Sequence, residues 1–106
     1  MSRYALMLAA LLAAASGGSH ADAVAGKAKA RPCAVCHGPL GVSILPDAPN
    51  LAAQPESYLI AQLKAYRSGK RSHEVMAVVA KPLSDDDIAD LAAWYASLQI
   101  EARERP

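Results

Sequence analysis

The chain has 106 residues, 24 of them alanine and none phenylalanine, and its 11 Lys and Arg nearly balance 10 Asp and Glu. That length holds one domain. The near-neutral charge excludes an ordinary nucleic-acid binder, which needs a surplus of Lys and Arg to displace counterions.

The first element is a leader. Arg3 precedes an apolar run from Tyr4 to Ala15, and Ser19 and Ala21 occupy the small-residue positions of an A-x-A-like cleavage site. This is the layout of a secretory signal peptide over residues 1–21. The run is roughly a dozen residues, well short of the ~20 that a spanning helix needs, so no permanent membrane span is expected. Cleavage after Ala21 leaves one domain over residues 22–106, with ten basic and ten acidic side chains, and export places it in the periplasm. An alanine-rich core of that size supplies little net stability, so a disulfide, a metal or an embedded cofactor is expected to staple the fold. Cys33 and Cys36 are the only cysteines, and a disulfide closing so short a loop gains little chain entropy. The staple must be of another kind.

From Asp22 to Arg31 the Ala- and Lys-rich sequence favours a first helix, interrupted only by Gly26. Pro32 is predicted to end or kink it just before Cys33. Gly38 to Pro55 contains four prolines and two glycines with no apolar period, the signature of an irregular loop. A second helix follows from Pro55 to Gly69, with Tyr58, Leu59, Leu63 and Tyr66 on one face. Gly69 to Ser72 is a polar turn, and His73 to Ala80 is long enough for one or two helical turns. Ser84, three residues before Asp87, opens a third helix whose stripe runs through Ile88, Leu91, Ala92, Tyr95 and Leu98. Nothing reads as a strand, so the class is all-α, and the charged tail from Glu101 to Pro106 is expected to fray. Positive charge gathers at Lys64, Arg67, Lys70, Arg71 and Lys81, with Asp85, Asp86, Asp87 and Asp90 following at once, which predicts a dipolar surface.

Cys33-Ala34-Val35-Cys36-His37 is a C-x-x-C-H segment, whose spacing suits covalent haem attachment. The two thiols add across the two vinyl groups, and His37 is then delivered beneath the iron. A redox dithiol would want a strand-helix setting that this chain lacks, and a closed zinc site would want a fourth ligand, for which only His73 remains. Met76 is the one methionine left after the leader, and its thioether is a soft ligand suited to haem iron, although a methionine also fills core gaps. His73, one helical turn earlier, is the rival ligand or else a solvent-exposed residue of the polar turn.

On these residues the chain resembles the class I c-type cytochromes, and is similar to a single domain of the two-haem periplasmic electron carriers. The resemblance rests on AGKAKARPCAVCHGPLG, PNLAAQPESYLIAQLKAYRSGKR and VMAVVAKPLSDDDIADLAAWYASL in that order, and covers essentially all of residues 22–106. It implies a cytochrome c fold: three main helices plus short helical turns wrapped around one covalently bound haem c. It implies His37 and Met76 as the axial iron ligands, with the carbonyl of Pro49, in Pro49-Asn50-Leu51, accepting from His37 Nδ1. It also places Gly26 where the first and last helices cross, with Trp94 or Tyr95 covering the gap. Tyr58, Tyr66, Arg67 and Arg71 are candidates to bind the haem propionates or pack on the haem, while a solvated basic face explains the two arginines equally well. Leu40, where relatives often carry a polar residue, and Pro32, directly before the attachment site, depart from the pattern.

Two protein ligands fill both axial positions of such an iron and leave none for substrate, so the chemistry implied is one-electron transfer and not catalysis. The expected partners are redox proteins, a reductase or dehydrogenase as donor and an oxidase or reductase as acceptor, met through small transient interfaces. Ala34, Val35 and Leu40 would form the apolar rim of that docking surface. The alternative is the cytochrome subunit of a stable oxidoreductase complex, for instance beside a flavoprotein that oxidises sulfide. A third reading is a haem enzyme or gas sensor with a dissociable Met76, which would bind carbon monoxide when ferrous.

Overall fold

The computed structural model describes residues 20–106, so the expected leader, apart from His20 and Ala21, lies outside the described residues. Five helices follow one another: α1 (Ala23–Lys29), α2 (Arg31–His37), α3 (Glu56–Ser68), α4 (Glu74–Ala80) and α5 (Asp85–Ser97). There is no strand among the described residues, and no helix there is long and apolar enough to cross a membrane.

The Asp22 carboxylate caps α1 by accepting from Val24 N at 2.8 Å. At the far end of this helix the structure departs from the sequence expectation. The break falls at Ala30, three residues before Cys33, and the C-x-x-C-H segment is itself helical. Pro32 lies in the first turn of α2, where an N–H has no intrahelical acceptor and its loss costs little. Pro32 therefore starts a helix instead of ending one. Ala30 N donates to Gly26 O at 2.8 Å and Ala34 N to Ala30 O at 3.0 Å, so α1 and α2 run nearly end to end.

Gly69 closes α3 in the left-handed conformation, at φ 82°. α3 packs on α5 and on α4, and its inward stripe runs through Leu59, Ile60 and Leu63. Tyr58, expected on that face, is exposed because the stripe is rotated by one position. At the start of α5 Ser84 Oγ accepts from Asp87 N and Asp87 Oδ2 accepts from Ser84 N, both at 3.0 Å, a reciprocal cap.

α1 crosses α5 so closely that a Cβ on Gly26 would lie 1.9 Å from Asp90 O and 2.8 Å from Trp94 Cβ. Only glycine fits. Polar contacts fasten the same crossing: Lys29 Nζ reaches Asp87 at 2.9 Å and Asp90 at 2.7 Å, and Asp22 N donates to Asp90 Oδ1 at 2.8 Å.

The core gathers Ala30, Leu59, Leu91, Ala92 and Tyr95, with Ala52, Ala80 and Ile88 also buried. Half of these residues are alanine, so the buried apolar volume is small. The larger side chains of the loop after α2, Leu40, Val42, Ile44 and Leu45, stay exposed, as do Val75, Val78 and Val79 of α4. A chain of this size ordinarily buries such residues.

Candidate cofactor site

Residues 33, 36 and 37 are spaced i, i+3 and i+4 on α2, which sets them on one helix face. Cys33 and Cys36 form no disulfide with each other, each is half-buried, and Cys33 packs against the core cluster. Burial pushes the Cys33 thiol above its usual range. Burial likewise pushes the Tyr95 hydroxyl up. That hydroxyl is shut away from solvent with no hydrogen-bond partner at normal geometry, an unusual state for a buried polar group.

His37 is 7% exposed, and its Nδ1 lies 2.8 Å from Pro49 O. A carbonyl oxygen can only accept, so Nδ1 carries a proton, and Nε2 is the ring nitrogen left to offer a lone pair. That is the tautomer a metal-binding imidazole needs. The loop that delivers Pro49 is anchored along its length. Gly38, at φ 80°, lets the chain fold back until a Cβ there would be 1.9 Å from Val42 O. Gly41 O accepts from Leu51 N at 2.7 Å and Ala52 N at 3.0 Å, Asn50 Oδ1 accepts from Ser43 N at 2.7 Å, and Ala53 N donates to Tyr95 O at 2.9 Å. Asn50 thus ties the two arms of the loop together, a role that the sequence signalled only as the middle residue of Pro-Asn-Leu.

Met76 sits half-buried on α4, which packs against α3. His73 is exposed and caps α4, its Nδ1 accepting from Val75 N and Met76 N at 3.2 Å each. The two arginine candidates are engaged elsewhere. Arg67 donates to Leu83 O at 3.0 Å and to Asp85 Oδ1 at 2.7 Å, linking α3 to the start of α5. Arg71 donates to Gln62 Oε1 at 2.7 Å and lies 4.6 Å from the Tyr66 ring centroid. The structure thus brings Cys33, Cys36 and His37 onto one face of α2, with Pro49 O against the imidazole.

Among the described residues no three His, Cys, Asp or Glu side chains are grouped as ligands for a free metal ion. The residues present do fit a haem c. Two thiols and an imidazole share a face, the imidazole is tautomerically set, a buried hydroxyl beside Cys33 is unsatisfied, and large apolar side chains flank the segment.

The sequence profile of the cytochrome c family matches residues 23–99. Cytochrome c-554(548) of Halomonas halodenitrificans is 46% identical over 79 residues, covering 72% of this chain and 95% of that protein. Cytochrome c4 of Pseudomonas aeruginosa is 45% identical over 87 residues, covering 80% of this chain and 43% of that protein. A solved structure of thiosulfate dehydrogenase from Marichromatium purpuratum superposes with a TM-score of 0.71 at 40% identity, covering 83% of this chain and 22% of that one. The chain therefore spans less than half the length of the second and about a fifth of the third. The C-x-x-C-H segment, the all-helical fold and these similarities agree: the chain belongs to the cytochrome c family of haem c electron-transfer proteins.

Proposed function

We propose that the chain is a periplasmic one-electron carrier, exported through a leader cleaved after Ala21, with one haem c attached through Cys33 and Cys36 and held axially by His37 and Met76. The observation that supports this reading best is the 2.8 Å contact between His37 Nδ1 and Pro49 O, which leaves Nε2 as the nitrogen free to face an iron. A haem c bound there supplies a one-electron ferric/ferrous couple. The chain's own residues do the rest. α2 presents thiols and imidazole together, the loop from Gly38 to Pro55 holds the imidazole in one tautomer, and α4 offers the thioether. With His37 and Met76 both on the iron, no ligand position would remain for a substrate, and the group would exchange electrons through the protein surface next to it. Val35 and Leu40, 71% and 58% exposed, give that surface an apolar rim suited to brief encounters.

Replacing Met76 by Ala tests the ligation. The exported variant is expected to keep its covalent haem and to lose the Met-to-iron charge-transfer absorption of the oxidised form. An unchanged absorption would reject Met76.

The second reading is the cytochrome subunit of a stable oxidoreductase, favoured by the similarity to one part of a thiosulfate dehydrogenase. Size-exclusion chromatography of native extract separates the two. A free carrier elutes near its own mass, and a subunit elutes with its dehydrogenase.

A further inference from the structure

The link between α3 and α4 is more ordered than its polar sequence suggests. Arg71 N donates to Ala65 O at 3.0 Å, and its guanidinium binds Gln62 and covers the face of Tyr66. The Tyr66 ring in turn meets the His73 ring edge-on, with centroids 6.4 Å apart and an interplanar angle of 75°. His73 has extended backbone angles, φ −160° and ψ 134°, as an N-cap residue does, and its Nδ1 accepts from two otherwise unpartnered amides of the first turn. One of those amides belongs to Met76.

We propose that His73 is a positioning residue for Met76. Its ring, braced by Tyr66 and Arg71, clamps the backbone of that methionine and so sets the register in which the thioether is presented. The proposal rests on the reading of Met76 as an axial ligand. α4 has only seven residues, too few to hold its shape by helix propensity, so its first turn depends on the cap. Capping through Nδ1 also assigns His73 a task other than ligation, the part in which it rivals Met76 from sequence alone. His73 acts here on the ligand's backbone and touches no reacting atom.

The test uses the exported holoprotein in four forms: wild type, His73→Ala, His73→Gln and His73→Asn. Asparagine is among the best N-cap residues, whereas alanine and glutamine cap poorly. Exogenous imidazole binds the ferric iron only when Met76 lets go, so its apparent affinity reads how firmly the thioether is held. His73→Ala and His73→Gln should each raise that affinity on the order of 5-fold, the equivalent of one lost cap, and weaken the Met-to-iron charge-transfer absorption while covalent haem is retained. His73→Asn should restore both readouts to wild type. Wild-type affinity and absorption in His73→Ala and His73→Gln would overturn the proposal, as would failure of His73→Asn to rescue. If wild type itself lacks the charge-transfer absorption, the ligand reading of Met76 falls and takes the proposal with it; if that absorption is present and the variants leave it untouched, only the proposal falls.

Discussion

His37 meets Pro49 through a backbone oxygen, and this makes the contact robust to the side chain that supplies it. Pro49→Ala keeps the acceptor. It is expected to leave the haem spectrum unchanged and to cost less than ~1 kcal/mol, through the added freedom of the unfolded loop. Thermal unfolding of the holoprotein followed in the Soret region checks this, and a displaced spectrum would mean that the ring orientation depends on more than the carbonyl. Asp87 is a residue whose charge matters for acid stability. Ser84 N and the Lys29 ammonium hold its carboxyl below the usual carboxylate range, at about 2. Because the folded value lies below the unfolded one, its contribution is complete above about pH 4 and is lost as pH falls toward 2. The group is only part-buried and is screened by water, so the effect is modest. Asp87→Asn should be less stable than wild type at pH 7 and should lose less stability between pH 4 and pH 2, as read from urea midpoints at each pH. Parallel losses would contradict this assignment.

At the scale of elements, the α1–α5 crossing leaves no room for a side chain at Gly26. Gly26→Ala puts a methyl into the backbone of Asp90, so the helices must part, at an expected cost of about 2–3 kcal/mol and ~10 °C or more in Tm. A Tm equal to wild type would show that the crossing is not held at this distance. Helix positions were legible where the signal was local and unambiguous. Ser84 and Asp87 spelled out a reciprocal cap, and Gly69 ended α3. The α1–α2 junction was not legible, because the same Pro32 is a stop for one helix and a start for the next, and only tertiary packing chooses. His73 was not legible as a cap either. Histidine is a minority residue at that position, and a sequence containing C-x-x-C-H invites reading every other histidine as a ligand.

Across the whole molecule, the apolar side chains are divided in an uncommon way. Alanine fills half of the buried set while Leu40, Val42, Ile44 and Leu45 face outward around the attachment segment. A covalently held macrocycle supplies the missing bulk, so Cys33→Ala with Cys36→Ala should leave a poorly helical chain, seen as a loss of far-ultraviolet circular dichroism. Native helicity in that double variant would mean that the protein core suffices. The acidic run at the start of α5 is in part paired with basic side chains. Asp85 is paired with Arg67, and Asp87 and Asp90 with Lys29, so much of the acidic run is neutralised locally. The attachment residues could be read directly from their spacing, whereas the cradle formed by Gly38, Ser43, Asn50 and Tyr95 could not, because its contacts join residues far apart in the chain.

Intact mass of the exported protein under denaturing conditions tests the covalent haem directly. The expected value is that of residues 22–106 plus one haem. A polypeptide mass with no haem added would contradict it.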